Sequence, residues 1–292
     1  MRRVLLPALA LSLGASAASA QSMRPFSTYR QWHGETRLDA RLDYAAGALR
    51  LAAGRPTELY RMDVLYDGDR YLPVSDFDAA GGSVMLGLQA AGGGGLRVVS
   101  RSQLRQTASV TFSPSNDLTL AVTLGAVDGD LELGGLRLTD LALQAGASRA
   151  TVRFSQPNAT RCRTATFQAG AAELSVLGLG NCRCDRIAVE GGVGRVTLDF
   201  AGAWTSSSRV VVKMALGQVA LRLPRQVGVR LTLDRLLTTF EPQGLVRRGT
   251  SYLSPGYDQM PRHIDIDVTT AVGGVTLGWV GDQGTARPSQ GP

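Results

Sequence analysis

The sequence predicts an all-β fold, a single-domain β-solenoid of stacked coils of roughly 21 to 25 residues with short parallel strands, on three observations. Apolar residues alternate with period two, as in Leu118, Leu120 and Val122, Leu141 and Leu143, Leu174 and Val176, Val196 and Leu198, and Leu221 and Leu223. A glycine recurs at Gly125, Gly146, Gly170, Gly192 and Gly217. Apolar columns accompany it: Val122, Leu143, Phe167, Val189 and Met214 three residues before; Leu120, Leu141, Ala165, Ile187 and Val212 five before; Leu131, Val152, Val176, Leu198 and Leu223 six after. Equivalent strands stacked about 4.8 Å apart bury such columns, which no single coil buries alone. The glycine marks a corner, where a positive φ or a close backbone approach penalises a side chain.

Taken in chain order, Arg2 and Arg3, the apolar residues 4–13, and Ala18, Ser19 and Ala20 ahead of Gln21 read as a secretory signal peptide over residues 1–20, cleaved near Ala20. Export to a periplasm or out of the cell is the expectation. No later stretch reaches the twenty or so apolar residues that cross a hydrocarbon core of about 30 Å as a helix, so the mature chain is expected to carry no transmembrane segment. Residues 21–34 form an N-terminal arm and residues 35–281 the solenoid. Two excursions interrupt it, one near 89–116 after the glycine run 92–95, the other at 241–262 with Pro242, Pro255, Gly256 and Pro261. Residues 282–292 read as a polar, disordered tail.

The 292 residues are 44% apolar and 19% charged, too apolar for a disordered chain, and the 35 glycines lack the three-residue period of collagen. The formal charge of +7 falls to about +5 without Arg2 and Arg3. Arginines are scattered along alternating strands, with no basic block of the kind that binds nucleic acid. An anionic envelope partner stays compatible with them, because guanidinium groups bind phosphate and carboxylate through two hydrogen bonds at once.

The runs Leu59-Tyr60-Arg61, Tyr66-Asp67, Tyr71-Leu72-Pro73, Leu133-Gly134-Gly135-Leu136, Phe154-Ser155-Gln156-Pro157-Asn158, Gly178-Leu179-Gly180-Asn181, Gly191-Gly192-Val193-Gly194 and Leu198-Asp199-Phe200-Ala201-Gly202 resemble the toast-rack domains of exported bacterial proteins. They are similar to the extracytoplasmic C-terminal domain of LiaF-type cell-envelope stress proteins. The resemblance spans roughly residues 35–280 and implies a β-solenoid; its motifs are structural and imply no catalytic residue.

Common chemistries are removed one by one. The single lysine, Lys213, is followed by Met214, which excludes a P-loop, and an exposed side chain there fits better than a Schiff-base role. Two histidines, His33 and His263, cannot supply a zincin pair, and no Gly-x-Ser-x-Gly elbow occurs. His263, Asp265 and Asp267 alternate and would share one face of a strand, a weak candidate set for a metal, although Ile264, Ile266 and Val268 turning inward explain the same pattern. Asp67-Gly68-Asp69 and Asp128-Gly129-Asp130 read as tight turns rather than calcium loops. No cofactor is expected.

Cys162 and Cys184 each stand eight residues before a corner glycine, so the coil scheme places them side by side on adjacent coils as a disulfide candidate, with Cys182 a competitor or a free thiol. Two functions follow. The first is an exported, non-enzymatic envelope or extracellular binding or scaffold module, whose partner would be an envelope protein, a cell-wall polymer or an anionic lipid, and whose open ends could associate end to end. The alternative is a carbohydrate-active enzyme on a β-helix, with Asp199, Asp234, Asp265 and Asp267 as first candidates. Tyr252, Tyr257 and Trp279 are the aromatics that could share a binding patch.

Overall fold

The computed structural model describes residues 23–92 and 105–280. The expected signal peptide, residues 93–104 of the first excursion and the tail lie outside the described residues. The strands are β1 (Met23–Gln31), β2 (Arg37–Ala53), β3 (Glu58–Asp67), β4 (Tyr71–Asp78), β5 (Ser83–Ala90), β6 (Thr107–Phe112), β7 (Asp117–Glu132), β8 (Arg137–Ala145), β9 (Arg149–Arg153) and β10 (Cys162–Leu177). The one-turn helix α1 (Leu179–Cys182) precedes β11 (Cys184–Asp199), β12 (Ser208–Leu223), β13 (Gly228–Phe240), β14 (Val246–Arg248), β15 (Ser251–Leu253) and β16 (His263–Trp279).

The core of the fold is a parallel rack. Coil follows coil in the order β5 with β6, then β2, β7, β8 with β9, β10, β11, β12, β16 and β13. Inward columns run unbroken through it, for example Leu120, Leu141, Ala165, Ile187 and Val210, each stacked on the next. Phe167, Val189 and Val212 are fully buried in the neighbouring column. Each such aliphatic or aromatic side chain contributes about 1.5–3 kcal/mol by leaving water.

The strands are longer than short coil segments because they run through the corner. Within β10 the buried and exposed residues alternate until Gly170 and Ala171, which both face solvent, and then resume with opposite phase at Ala172. The ladder skips the same position in successive pairs, from Ala169 on Gly191 to Ala171 on Val193, and from Gly191 on Met214 to Val193 on Leu216. Gly125, Gly146, Gly170 and Gly192 occupy that corner; a Cβ on Gly125 would meet the carbonyl oxygen of Ala45 at 2.2 Å.

In the next coil the corner is not a glycine. Gly217 stacks on Gly194, not on Gly192, so the expected alignment slips by two residues there. Val212 rather than Met214 lies on Val189, and Leu221 rather than Leu223 lies on Leu198. The reason is a second glycine column, Gly194, Gly217 and Gly273, each at φ 139°, two residues past the corner. A Cβ on Gly217 would lie within 1.9 Å of the Gly194 carbonyl oxygen, so only glycine lets these backbones approach.

Antiparallel strands close the amino-terminal end. β1 pairs with β3, β3 with β6, and β4 with β5. The N-terminal arm therefore contains a sheet strand, and residues 107–112 of the first excursion are β6, half of a coil under β2. The second excursion holds the hairpin of β14 and β15, which lies on the first half of β13, and a short 3₁₀ turn, Tyr257–Gln259.

Buried asparagines tie neighbouring coils together, while Tyr44 Oη, Gln106 Oε1 and Asn116 Oδ1 are buried without a hydrogen-bond partner among the described residues. Buried Asn158 donates through Nδ2 to Leu138 O at 2.7 Å and accepts from Leu138 N–H at 2.8 Å, tying the turn after β9 to β8. Asn181, one coil on, donates to Phe154 O at 2.9 Å and accepts from Ala203 N–H at 2.9 Å. Cys162 and Cys184 are directly opposite in the β10–β11 ladder, 4.2 Å apart at Cα, and are joined by a disulfide. Cys182 is a buried free thiol, and burial pushes its pKa up to about 12.

Candidate functional site

Asp128-Gly129-Asp130 is not a turn but part of β7. Period-two alternation turns Gly129 toward the core, where a Cβ would press on Leu131 and Leu124 at 3.1 and 3.2 Å, and turns both aspartates outward. Asp67-Gly68-Asp69 is the true turn, with Asp69 N–H donating to the Asp67 carboxylate at 3.0 Å.

The outward aspartates of β7 belong to an open groove of about 1040 Å³ on the outer face of the sheet, bounded by β1 on one side and β9 on the other. The ladder that crosses it is fixed by register: Ser27 on Asp63, Asp63 on Ser109, Arg50 on Ser109, Arg50 on Asp130, and Asp130 on Thr151. Six strands distant in sequence thus bring one row of hydroxyls, carboxylates and guanidinium together. Ser27 Oγ donates to Asp63 at 2.5 Å, and Arg153 pairs with Asp130. Arg50 and Asp128 are exposed, Leu65, Thr107 and Ala48 form the adjacent outward row, and Val64 and Ala108 turn into the core beneath the groove. The lining holds three carboxylates, Asp63, Asp128 and Asp130, against two guanidinium groups, Arg50 and Arg153. It is hydroxyl-rich, and slightly acidic in balance.

The residues singled out in the sequence lie elsewhere. His263, Asp265 and Asp267 do share a face of β16, but each is engaged: His263 Nε2 lies 3.0 Å from Tyr257 O, Asp265 accepts from Arg230 at 2.8 Å, and Asp267 accepts from Arg209 at 2.8 Å. Asp265 raises the pKa of Arg230 by its hydrogen bond, and burial together with the same carboxylate raises that of Tyr257. No group of three or more metal-ligating side chains is gathered among the described residues. Asp199 pairs with Arg222 at 3.5 Å on the other arm of the rack, and Asp234 is exposed on β13, so the four acids do not converge in one cleft. The aromatics are split as well. Tyr252 packs edge-on against Phe240 at 5.1 Å, Tyr257 against His263 at 4.4 Å, and Trp279 lies 5.0 Å from the Arg225 guanidinium.

The groove escapes a reading of the sequence because no local motif marks it. The one available signal is alternation itself, which assigns Asp128 and Asp130 to one strand face once residues 117–132 are read as a single strand.

Two solved structures of bacterial proteins are similar to this chain. A crystal structure of a candidate cell adhesion protein from Clostridium sporogenes shares 14% identity at a TM-score of 0.48, covering 88% of this chain and 99% of that one. A candidate adhesin from Bacteroides fragilis shares 11% identity at a TM-score of 0.39, covering 88% and 98%. No curated protein gives a significant match. Residues 20–177, which include every strand that lines the groove, match the family described as the N-terminal domain of toast_rack, DUF2154, and the chain belongs to the toast-rack family.

Proposed function

We propose that the protein is an exported, non-enzymatic binding module of the bacterial envelope and that the β1–β9 groove holds a cell-wall polymer. The groove carries this reading: it is a broad, preformed concavity on a rigid sheet, with hydroxyls and charges of both signs presented in rows. Three carboxylates against two guanidinium groups disfavour a polyanion or an anionic lipid surface. A hydroxyl-rich polymer carrying both amines and carboxylates suits such a lining, because each row then meets a complementary group. The Cys162–Cys184 bridge and the amino-terminal sequence support export, since disulfides persist in oxidising compartments. No helix among the described residues is long and apolar enough to cross a membrane.

Co-sedimentation with purified cell-wall sacculi tests the reading. Wild type is expected to bind saturably, and Arg50→Ala with Asp128→Ala to bind about tenfold or more weakly, both residues being exposed and outside the core. Equal binding by the double variant would remove the groove from the function. Turnover of cell-wall fragments abolished by the same variant would favour the enzymatic alternative.

A further inference from the structure

The two ends of the rack are finished differently. At the amino-terminal end, β4 covers β5 along its length and β3 covers β6. At the other end, β15 covers only residues 230–232 of β13. Residues 233–240 pair with β16 on one side and, among the described residues, with no strand on the other. That edge carries the two most exposed large apolar side chains described, Leu236 at 77% and Leu237 at 70%. Leu237 also continues an exposed apolar column on the rack, Val193, Leu216 and Val272. Unpaired ladder groups flanked by exposed leucines are the surface that takes up another strand.

We propose that the occupant is the same edge of a second copy, paired antiparallel about a two-fold axis between Leu236 and Leu237. The edge complements itself. In this register Leu236 faces the partner's Leu237, Asp234 the partner's Thr239, Arg235 the partner's Thr238 and Leu233 the partner's Phe240. No like charges oppose one another. The corner falls on the corner, because Leu236 is the position the β13–β16 ladder skips. Residues that face inward before it therefore meet residues that face inward after it. The free stretch of 233–240 matches its own length, and Pro242 ends the strand before it would run into β15. Such a contact is isologous and closes at two copies.

Arg235 sets how tightly the edges join. Its Nη1 donates to Thr238 O at 3.2 Å and its guanidinium lies 6.0 Å from the Phe240 ring, so in a single copy it satisfies one acceptor of the open edge. The dimer must displace it, which makes association reversible and dependent on concentration.

Sedimentation velocity of the purified protein over an about hundredfold range of concentration is expected to show monomer passing to dimer. Leu236→Lys with Leu237→Lys is expected to weaken the dimer by about tenfold or more with thermal unfolding unchanged, since both side chains face solvent. Asp234→Cys with Thr239→Cys is expected to give a disulfide-linked dimer on mild oxidation; Cys182 is buried and does not compete. A wild-type protein that stays monomeric overturns the proposal, including one that dimerises only after removal of residues 281–292, which would assign the edge to the chain's own tail. A dimer indifferent to the two lysines overturns it as well.

Discussion

At Gly217 one hydrogen atom decides whether two coils can stack. Its φ of 139° and a backbone approach that leaves no room for a Cβ act together, and alanine there would force β11 and β12 apart. Gly34 offers a control, with φ 98° but no atom within 4 Å of the place a methyl carbon would take. Gly217→Ala is expected to destabilise the fold by about 3 kcal/mol or more and Gly34→Ala by about 1 kcal/mol, measured by urea unfolding. Cys182 makes a second prediction at this scale. Its thiol stays neutral in the fold because burial raises its pKa to about 12, while the unfolded chain ionises it at an ordinary pKa near 8.5. Stability from this group is complete below pH ~8.5 and is lost as pH rises toward 12, at up to about 1.4 kcal/mol per unit. Burial raises the Tyr44 phenol in the same direction, so the alkaline loss has more than one source. Cys182→Ala should therefore show a shallower loss than wild type between about pH 8 and 9 in urea titrations, where the phenols are still almost wholly protonated in both states.

Among the elements, β10 and β11 show why some of the fold is legible in the letters. Cys162 and Cys184 occupy equal places in consecutive coils, and equal places in a parallel ladder are neighbours, so sequence spacing alone sets them opposite. The bridge closes a separation of 22 residues, for which chain entropy gives about 3 kcal/mol. Reduction, or Cys162→Ser with Cys184→Ser, is expected to lower the melting temperature by about 6–12 °C, and no shift would show that the coils hold this pair without help. The next coil departs from expectation for an equally local reason. β11 offers Gly191, Gly192 and Gly194, and a glycine column in the letters does not say which of them meets Gly217; only the φ values and the ladder do. Asp128-Gly129-Asp130 departs differently, since the tripeptide has turn composition but the long alternation on both sides keeps it extended.

Across the whole molecule, the regular coils from β7 to β11 are readable because each repeats the pattern of the one before. The amino-terminal closure is not. β2 lies between β6 and β7 although β3, β4 and β5 intervene in sequence, and β1, β3 and β4 run antiparallel to the strands they cover. Such pairings carry no period, so composition and spacing are silent about them. The groove exists only through that closure, which sets β1, β3 and β6 beside β2, β7 and β9. Its chemistry is therefore a property of the assembled rack.

The most direct test is an amide-resonance map of the isotopically labelled protein during titration with soluble cell-wall fragments. Binding in the groove predicts shifts concentrated on Ser27, Arg50, Asp63, Ser109, Asp128, Asp130 and Thr151, saturating together, and absent from β12, β13 and β16. Shifts scattered over the rack, confined to its carboxy-terminal end, or missing at saturating ligand would contradict the assignment of the groove as the binding surface.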